Sequence, residues 1–146
     1  MTKSNHPRRI AREAVLQALY AYEITKEDRS KVLQDIINRN SYDNEMQIFI
    51  TTLFNFSIDN KQWCEEQIKT RLNNWEFDRV ALLDRLLLIL AISEINFIDD
   101  VPPKVSITEA IEIAKQYSTE ESAGFVNGVL DNIYKTIANG VKSSQS

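Results

Sequence analysis

The chain has 146 residues, 43% hydrophobic and 26% charged, with one cysteine, one histidine and a formal net charge of −4. That length suits one domain able to bury roughly 68–70% of its unfolded surface, and that balance excludes a disordered or low-complexity protein. Cys64 alone excludes an internal disulfide or a Cys-rich metal site. The longest apolar run, Leu86–Ile92, falls far short of the roughly 20 residues of a membrane helix, and no apolar segment of a secretory signal follows the basic N-terminus. The expectation is a cytoplasmic protein with no membrane partner.

The distribution of charge says more than its sum. Residues 1–12 hold Lys3, Arg8, Arg9 and Arg12 and no acid, a local +4 that leaves −8 on the remainder. A basic arm on an acidic body is either a solvated tail or a localised footprint for a polyanion.

Pro7 suits the first position of a helix, where its missing N–H is an orphan anyway. Ala11, Ala14, Val15, Ala18, Leu19 and Tyr22 then recur at spacings of three and four, the stripe of an amphipathic helix. Arg9, Arg12, Leu16 and Tyr20 project on a flank of it. Cations at a helix start oppose its dipole, a choice that hints at function unless Glu13 offsets it by pairing with Arg9. Thr25 with Asp28 signals a second helix carrying Val32, Leu33, Ile36 and Ile37. After a break at Ser41–Asp43, Met46, Phe49, Ile50, Leu53, Phe54 and Ser57 form a third stripe. Asp59 or Asn60 can cap a fourth helix, lined by Cys64, Ile68, Leu72 and Trp75.

The stretch from Asp78 to Ile95 is apolar around most of its circumference, which places that helix at the centre of the domain; Asp84, Arg85 and Glu94 mark its exposed or paired side. Val101-Pro102-Pro103 sets an extended turn. Ser106 with Glu109 reads as a capping box, although the helix can begin a turn earlier near Lys104; Ile107, Ala110, Ile111 and Ala114 are its buried face. Ser118 with Glu121 reads as a second box opening the last helix, with Val126, Val129, Leu130, Ile133 and Ile137 as its core stripe. Gly124 and Gly128 are spaced to let another helix approach closely, and the tail from Gly140 reads as frayed. No period-2 alternation competes. The fold class is all-α: about seven helices and no sheet, one domain made of two packed bundle halves, about 1–75 and 76–140.

Catalytic chemistry has little to stand on. His6 is the only histidine, and Cys64, on an apolar stripe, has no histidine to activate it. No phosphate loop, dinucleotide turn or metal-ligand spacing occurs, so the reading is a binding protein without cofactor or metal. Phe125 is the residue the helical wheel singles out. It lies beside the Val126/Val129/Leu130/Ile133 stripe, on a flank shared with Glu121, Gly128 and Asn132. It is either the edge of a wide stripe or a platform on which an unpaired base stacks, with Ser122 and Glu121 able to add edge hydrogen bonds. Tyr117 is a second platform or a staple over the helix start.

Several blocks carry a family likeness: Arg8-Arg9-x-Ala11-Arg12-Glu13 running into Gln17-Ala18-Leu19-Tyr20; Asp84-Arg85 ahead of Ala91-x-x-Glu94; Val101-Pro102-x-Lys104-Val105; Glu109-Ala110-Ile111-Glu112-x-Ala114-Lys115; and Phe125-Val126-Asn127-Gly128-Val129-Leu130-Asp131. Over all but about the last ten residues the chain resembles the NusB family of bacterial transcription antitermination factors. The resemblance implies two three-helix-bundle-like halves and binding, together with the ribosomal protein that serves as NusE, to single-stranded boxA sequences in nascent ribosomal RNA. The complex helps RNA polymerase read through terminators. Lys3, Arg8, Arg9, Arg12 and Tyr20 fall on one part of the implied RNA surface, and Tyr117, Glu121, Ser122 and Phe125 on the other. Asp84 and its neighbour Arg85 fall on the protein-partner side. Thr108, Ser106 and Ile89 depart from the family pattern, and Ile89 removes a charged contact from that side. The alternative is a protein-only helical adaptor whose basic arm meets an acidic partner; a homodimer through the same patch also fits.

Overall fold

The computed structural model of the chain describes residues 7–72 and 77–145, of which 137–145 are described through their backbone alone. Lys3, His6, Trp75, the Ile137 side chain and part of the boundary between the halves lie outside what is described. Among the described residues there are seven α-helices and no strand: α1 Pro7–Thr25, α2 Arg29–Arg39, α3 Asn44–Asp59, α4 Lys61–Lys69, α5 Leu82–Phe97, α6 Pro103–Tyr117 and α7 Glu120–Gln145, with a 3-10 turn over Phe77–Arg79. α7 thus continues as helix past Gly140, where fraying is the sequence expectation.

Local chemistry explains most boundaries. Asp28 caps α2 by accepting the Ser30 N–H, and Asp43 caps α3 by accepting the Met46 N–H, each satisfying an orphan donor of a first turn. α5 starts four residues later than its apolar run suggests, because Phe77–Arg79 closes as a 3-10 turn with the Val80 N–H donating to the Phe77 carbonyl. The two expected capping boxes are displaced. α6 begins at Pro103, which leaves Ser106 inside the helix, so neither Ser106 nor Glu109 caps it. At α7 the cap is Thr119, whose Oγ1 accepts the Ser122 N–H.

α5 is the axle of the domain: it touches α1, α3 and α4 from the N-terminal half and α6 and α7 from the C-terminal half. Its residues Leu86–Ile92 are all buried, and one hydrophobic cluster runs from Ala11 to Ile133 across both halves. Helices pressed on more than one side bury more than a single stripe. α1 hides Arg12 and Leu16 along with its expected face, and α6 buries Ile113 fully while Ile111 is only half-buried. Gly124 and Gly128 correct a packing expectation. A Cβ built on either meets nothing within 4 Å, so they face open space and receive no neighbouring helix.

Ile89 is 1% exposed, at the centre of this cluster. It is a core residue, and the question of a charged partner contact at that position does not arise in this chain. Ile89→Ala should lower unfolding free energy by about 2–5 kcal/mol in a urea titration, the range for truncating a packed aliphatic side chain.

Candidate nucleic-acid interface

The basic arm expected to hold RNA phosphates is largely neutralised within the protein. Arg12 is 2% exposed, and its Nε and Nη2 donate to the two carboxylate oxygens of Glu94 at 2.8 and 2.6 Å. Ser106 Oγ donates to the same Glu94 at 2.9 Å, so α1, α5 and α6 meet on one buried carboxylate. Arg9 makes a second two-pronged pair, 2.7 and 2.8 Å to Glu109 of α6, and Arg12 Nη1 stands 3.6 Å from that acid. The Glu109 hydrogen bond raises the Arg9 pKa, reinforcing its charged state. Glu109 is thus the main answer to the unfavourable cations at the start of α1, with Glu13 adding a smaller attraction to Arg9. Arg8 lies half-exposed, 3.2 Å from Asp100 and over the Phe49 ring at 4.2 Å from its centroid.

Two residues of the arm thus change role. The α1 surface carrying Arg12 and Leu16 is packed against neighbouring helices, so Arg12 is an interior strut. Arg9, with only 13% of its side chain exposed, is held by its forked pair. Arg8, by contrast, is in a surface pair of little intrinsic strength.

The true solvent arc of α1 is Ile10, Glu13, Gln17, Tyr20 and Ile24, spaced by threes and fours, with Tyr20 43% exposed. Gln17 Nε2 donates to the Tyr117 hydroxyl at 3.1 Å, and that hydroxyl donates to Glu13 Oε1 at 3.4 Å. Desolvation raises the pKa of both Tyr117 and Glu13, which keeps the phenol protonated and able to donate. Next in the chain, Ser118 Oγ donates to Ser122 Oγ at 2.9 Å. Ser122 in turn lines a concavity of about 420 Å³ with Arg79, Val80, Ala81, Asp84, Glu121 and Phe125. Tyr20, Gln17, Tyr117, Ser122 and Phe125 are therefore linked, neighbour to neighbour, into one band. Of the N-terminal arginines, Arg12 is inside and Arg8 lies with Phe49 and Asp100.

This concavity joins residues that the sequence assigns to different surfaces. Asp84, expected on a protein-partner side, faces the same hollow as Phe125. Arg85 is not among the lining residues; its guanidinium lies over the Phe77 ring, 5.2 Å from the centroid. Arg79, which no sequence argument singles out, is at the rim. Its one signal is its place just ahead of the central helix. The hollow offers an aromatic face (Phe125), two carboxylates able to accept from exocyclic amines (Asp84, Glu121) and one hydroxyl, a donor and acceptor set suited to an unpaired base.

No group of three or more His, Cys, Asp or Glu side chains able to hold a metal ion occurs among the described residues, and no described helix is long and apolar enough to cross a membrane. Cys64 is buried, its Sγ 3.8 Å from the Ile89 carbonyl and 3.6 Å from Ser93 Oγ, and burial pushes its pKa up to about 11.

Among its described residues the chain is an all-helical domain that carries a band of aromatic and polar side chains at its surface. Residues 9–135 match the model of the NusB family. A transcription antitermination protein NusB from Chloroherpeton thalassium is 47% identical over 131 residues, 89% of this chain and 62% of the length of that protein. A Bacillus cereus namesake is 39% identical over 131 residues, 89% of this chain and 98% of its own. Among solved structures, T. maritima NusB superposes with a TM-score of 0.82 at 38% identity, covering 89% of this chain and 92% of its own. A crystal structure of the antitermination factors NusB and NusE in complex with dsRNA shares the fold, with a TM-score of 0.81 at 23% identity over 89% of this chain and 97% of its own. The chain belongs to the NusB family, whose relatives compared above are transcription antitermination proteins.

Two outcomes follow from the interior chemistry. Arg12→Ala should lower stability by about 3–5 kcal/mol in urea denaturation, because Glu94 is left as an unpaired buried charge. Cys64 should resist iodoacetamide at pH 8 in the native protein and react quickly in 8 M urea. The raised pKa leaves almost no thiolate at that pH until unfolding restores the ordinary value of about 8.5.

Proposed function

We propose that this protein is a transcription antitermination factor of the cytoplasm. In this reading it binds single-stranded boxA-type RNA in nascent ribosomal RNA together with the ribosomal protein NusE and helps RNA polymerase read through terminators. It acts by binding, without a catalytic step of its own. The observation that carries the reading is the continuous band from Tyr20 through Gln17 and Tyr117 to Ser122 and Phe125, ending in the hollow where Asp84 and Glu121 face Phe125. Bases stack on Phe125 and Tyr20. The two carboxylates accept from amino groups on base edges, which selects bases bearing them. Arg8 exchanges Asp100 for a phosphate, and Lys3 adds charge from the arm. Arg9 and Arg12 act indirectly, by holding α1 where Tyr20 and Gln17 share a face with Tyr117.

A second reading, a protein-only helical adaptor, is favoured by one observation: the internal pairing of Arg9 and Arg12 removes much of the polyanion footprint. The two readings separate in an anisotropy titration of boxA RNA with and without NusE. Phe125→Ala should weaken binding by roughly 5–150-fold, the equivalent of about 1–3 kcal/mol for one stacked base. Equal affinity of wild type for boxA and a scrambled strand, unaltered by Phe125→Ala, would leave the adaptor reading standing.

A further inference from the structure

The described arginines of the arm each face a carboxylate, but another group of cations does not among the described residues. Lys69 and Arg71 at the end of α4, Arg79 in the 3-10 turn and Arg85 in the first turn of α5 have no carboxylate oxygen within 4.0 Å among the described residues. Arg8, Arg9 and Arg12 each have one. Lys69 Nζ and the Arg85 guanidinium both lie over the Phe77 ring, 5.1 and 5.2 Å from its centroid. The two charges are thus no more than about 10 Å apart, inside the range where like charges still repel at ordinary salt. Arg85 Nε is buried without a hydrogen-bond partner. On an acidic body, such a group is electrostatically incomplete.

Its position says what completes it. Arg79 lines the hollow that contains Phe125. Arg71 Nε donates to Asn132 Oδ1 at 2.8 Å, and Asn132 lies seven residues beyond Phe125 on the same flank of α7, about 10 Å along the helix. Between them Gly128 is exposed, with nothing within 4 Å of where a Cβ would stand, so a strand can come close to the helix backbone there. We propose that Lys69, Arg71, Arg79 and Arg85 form a phosphodiester track that carries the RNA strand along the α7 flank from the Phe125 hollow towards Asn132. The proposal rests on the RNA reading above and adds to it the direction of the strand and the source of its phosphate contacts. A base seated in the hollow leaves its sugar and phosphate at the rim, where Arg79 stands. Asp84 and Glu121, inside the hollow, repel phosphate from the base position and so keep base and backbone apart.

The track contributes mainly to the salt dependence of binding, and the stack mainly to its strength at fixed salt. The test uses the full chain with Lys69→Gln/Arg79→Gln, both exposed positions, beside Phe125→Ala; circular dichroism verifies the fold. Affinity for a single-stranded boxA RNA is measured from 50 to 300 mM KCl. The double variant should flatten the plot of log affinity against log salt by about 1.4, at 0.7 for each phosphate left without its cation, and Phe125→Ala should lower affinity with its slope unchanged. An unchanged slope in the double variant, with Phe125→Ala still weakened, overturns the track and leaves the RNA reading intact. No effect from either variant overturns both. If the double variant keeps its RNA slope but loses affinity for NusE, the cations serve a protein surface and the track is equally overturned.

Discussion

The buried meeting of Arg12, Glu94 and Ser106 is the interaction on which the rest of the domain depends. Each residue comes from a different helix, and each satisfies the others: a forked guanidinium–carboxylate pair takes both Glu94 oxygens, and the serine hydroxyl adds a third bond. A lone charge at this depth would cost several kcal/mol, so the three helices are held in the one arrangement where the charges meet. Apolar packing alone tolerates small slides of one helix on another; a buried ion pair with fixed geometry does not. Arg9 and Glu109, one turn towards the N-terminus of α1, repeat the constraint nearer the surface.

That constraint sets the outer surface as well. With α1 docked by its cationic side, its opposite arc is turned outward, and Gln17 comes within hydrogen-bonding distance of Tyr117. The α6–α7 turn then hands the band on to α7 through the Ser118–Ser122 bond. Arg9 and Arg12 of the N-terminal block are thus tied to the outer band by architecture. The charge of Arg9 and Arg12 is paired inside while Tyr20 and Gln17 stand outside.

A division of labour follows for a strand lying on this surface. An aromatic face and carboxylate acceptors gather in the hollow around Phe125, while Lys69, Arg71, Arg79 and Arg85, without acidic partners among the described residues, lie at its rim and beyond, Lys69 and Arg85 over Phe77. Separating acceptor-rich and cation-rich ground gives a single strand two different reasons to lie one way round: amino groups of bases towards Asp84 and Glu121, phosphates towards the arginines. The exposed glycines of α7 lie along the same path.

Much of this was legible in the chain before its fold. Hydrophobic spacing at three and four marks the helices, the breaks near Thr25–Asp28 and Ser41–Asp43 fall where α2 and α3 begin, the unbroken apolar run marks the central α5, and the wheel sets Phe125 apart from the stripe beside it. All are local properties, decided by residues within a turn or two of each other. What the chain could not disclose is which cations are free. Arg8, Arg9 and Arg12 find their acids 92, 100 and 82 residues away, and a wheel drawn for one helix carries no record of how many neighbours press on it. For the same reason Asp84 and Phe125 appear unrelated in the sequence and share one hollow in the fold. Helix identity comes from short-range periodicity; the charge pattern of the surface comes from which side chains the packing pairs and buries, and only the tertiary structure decides that.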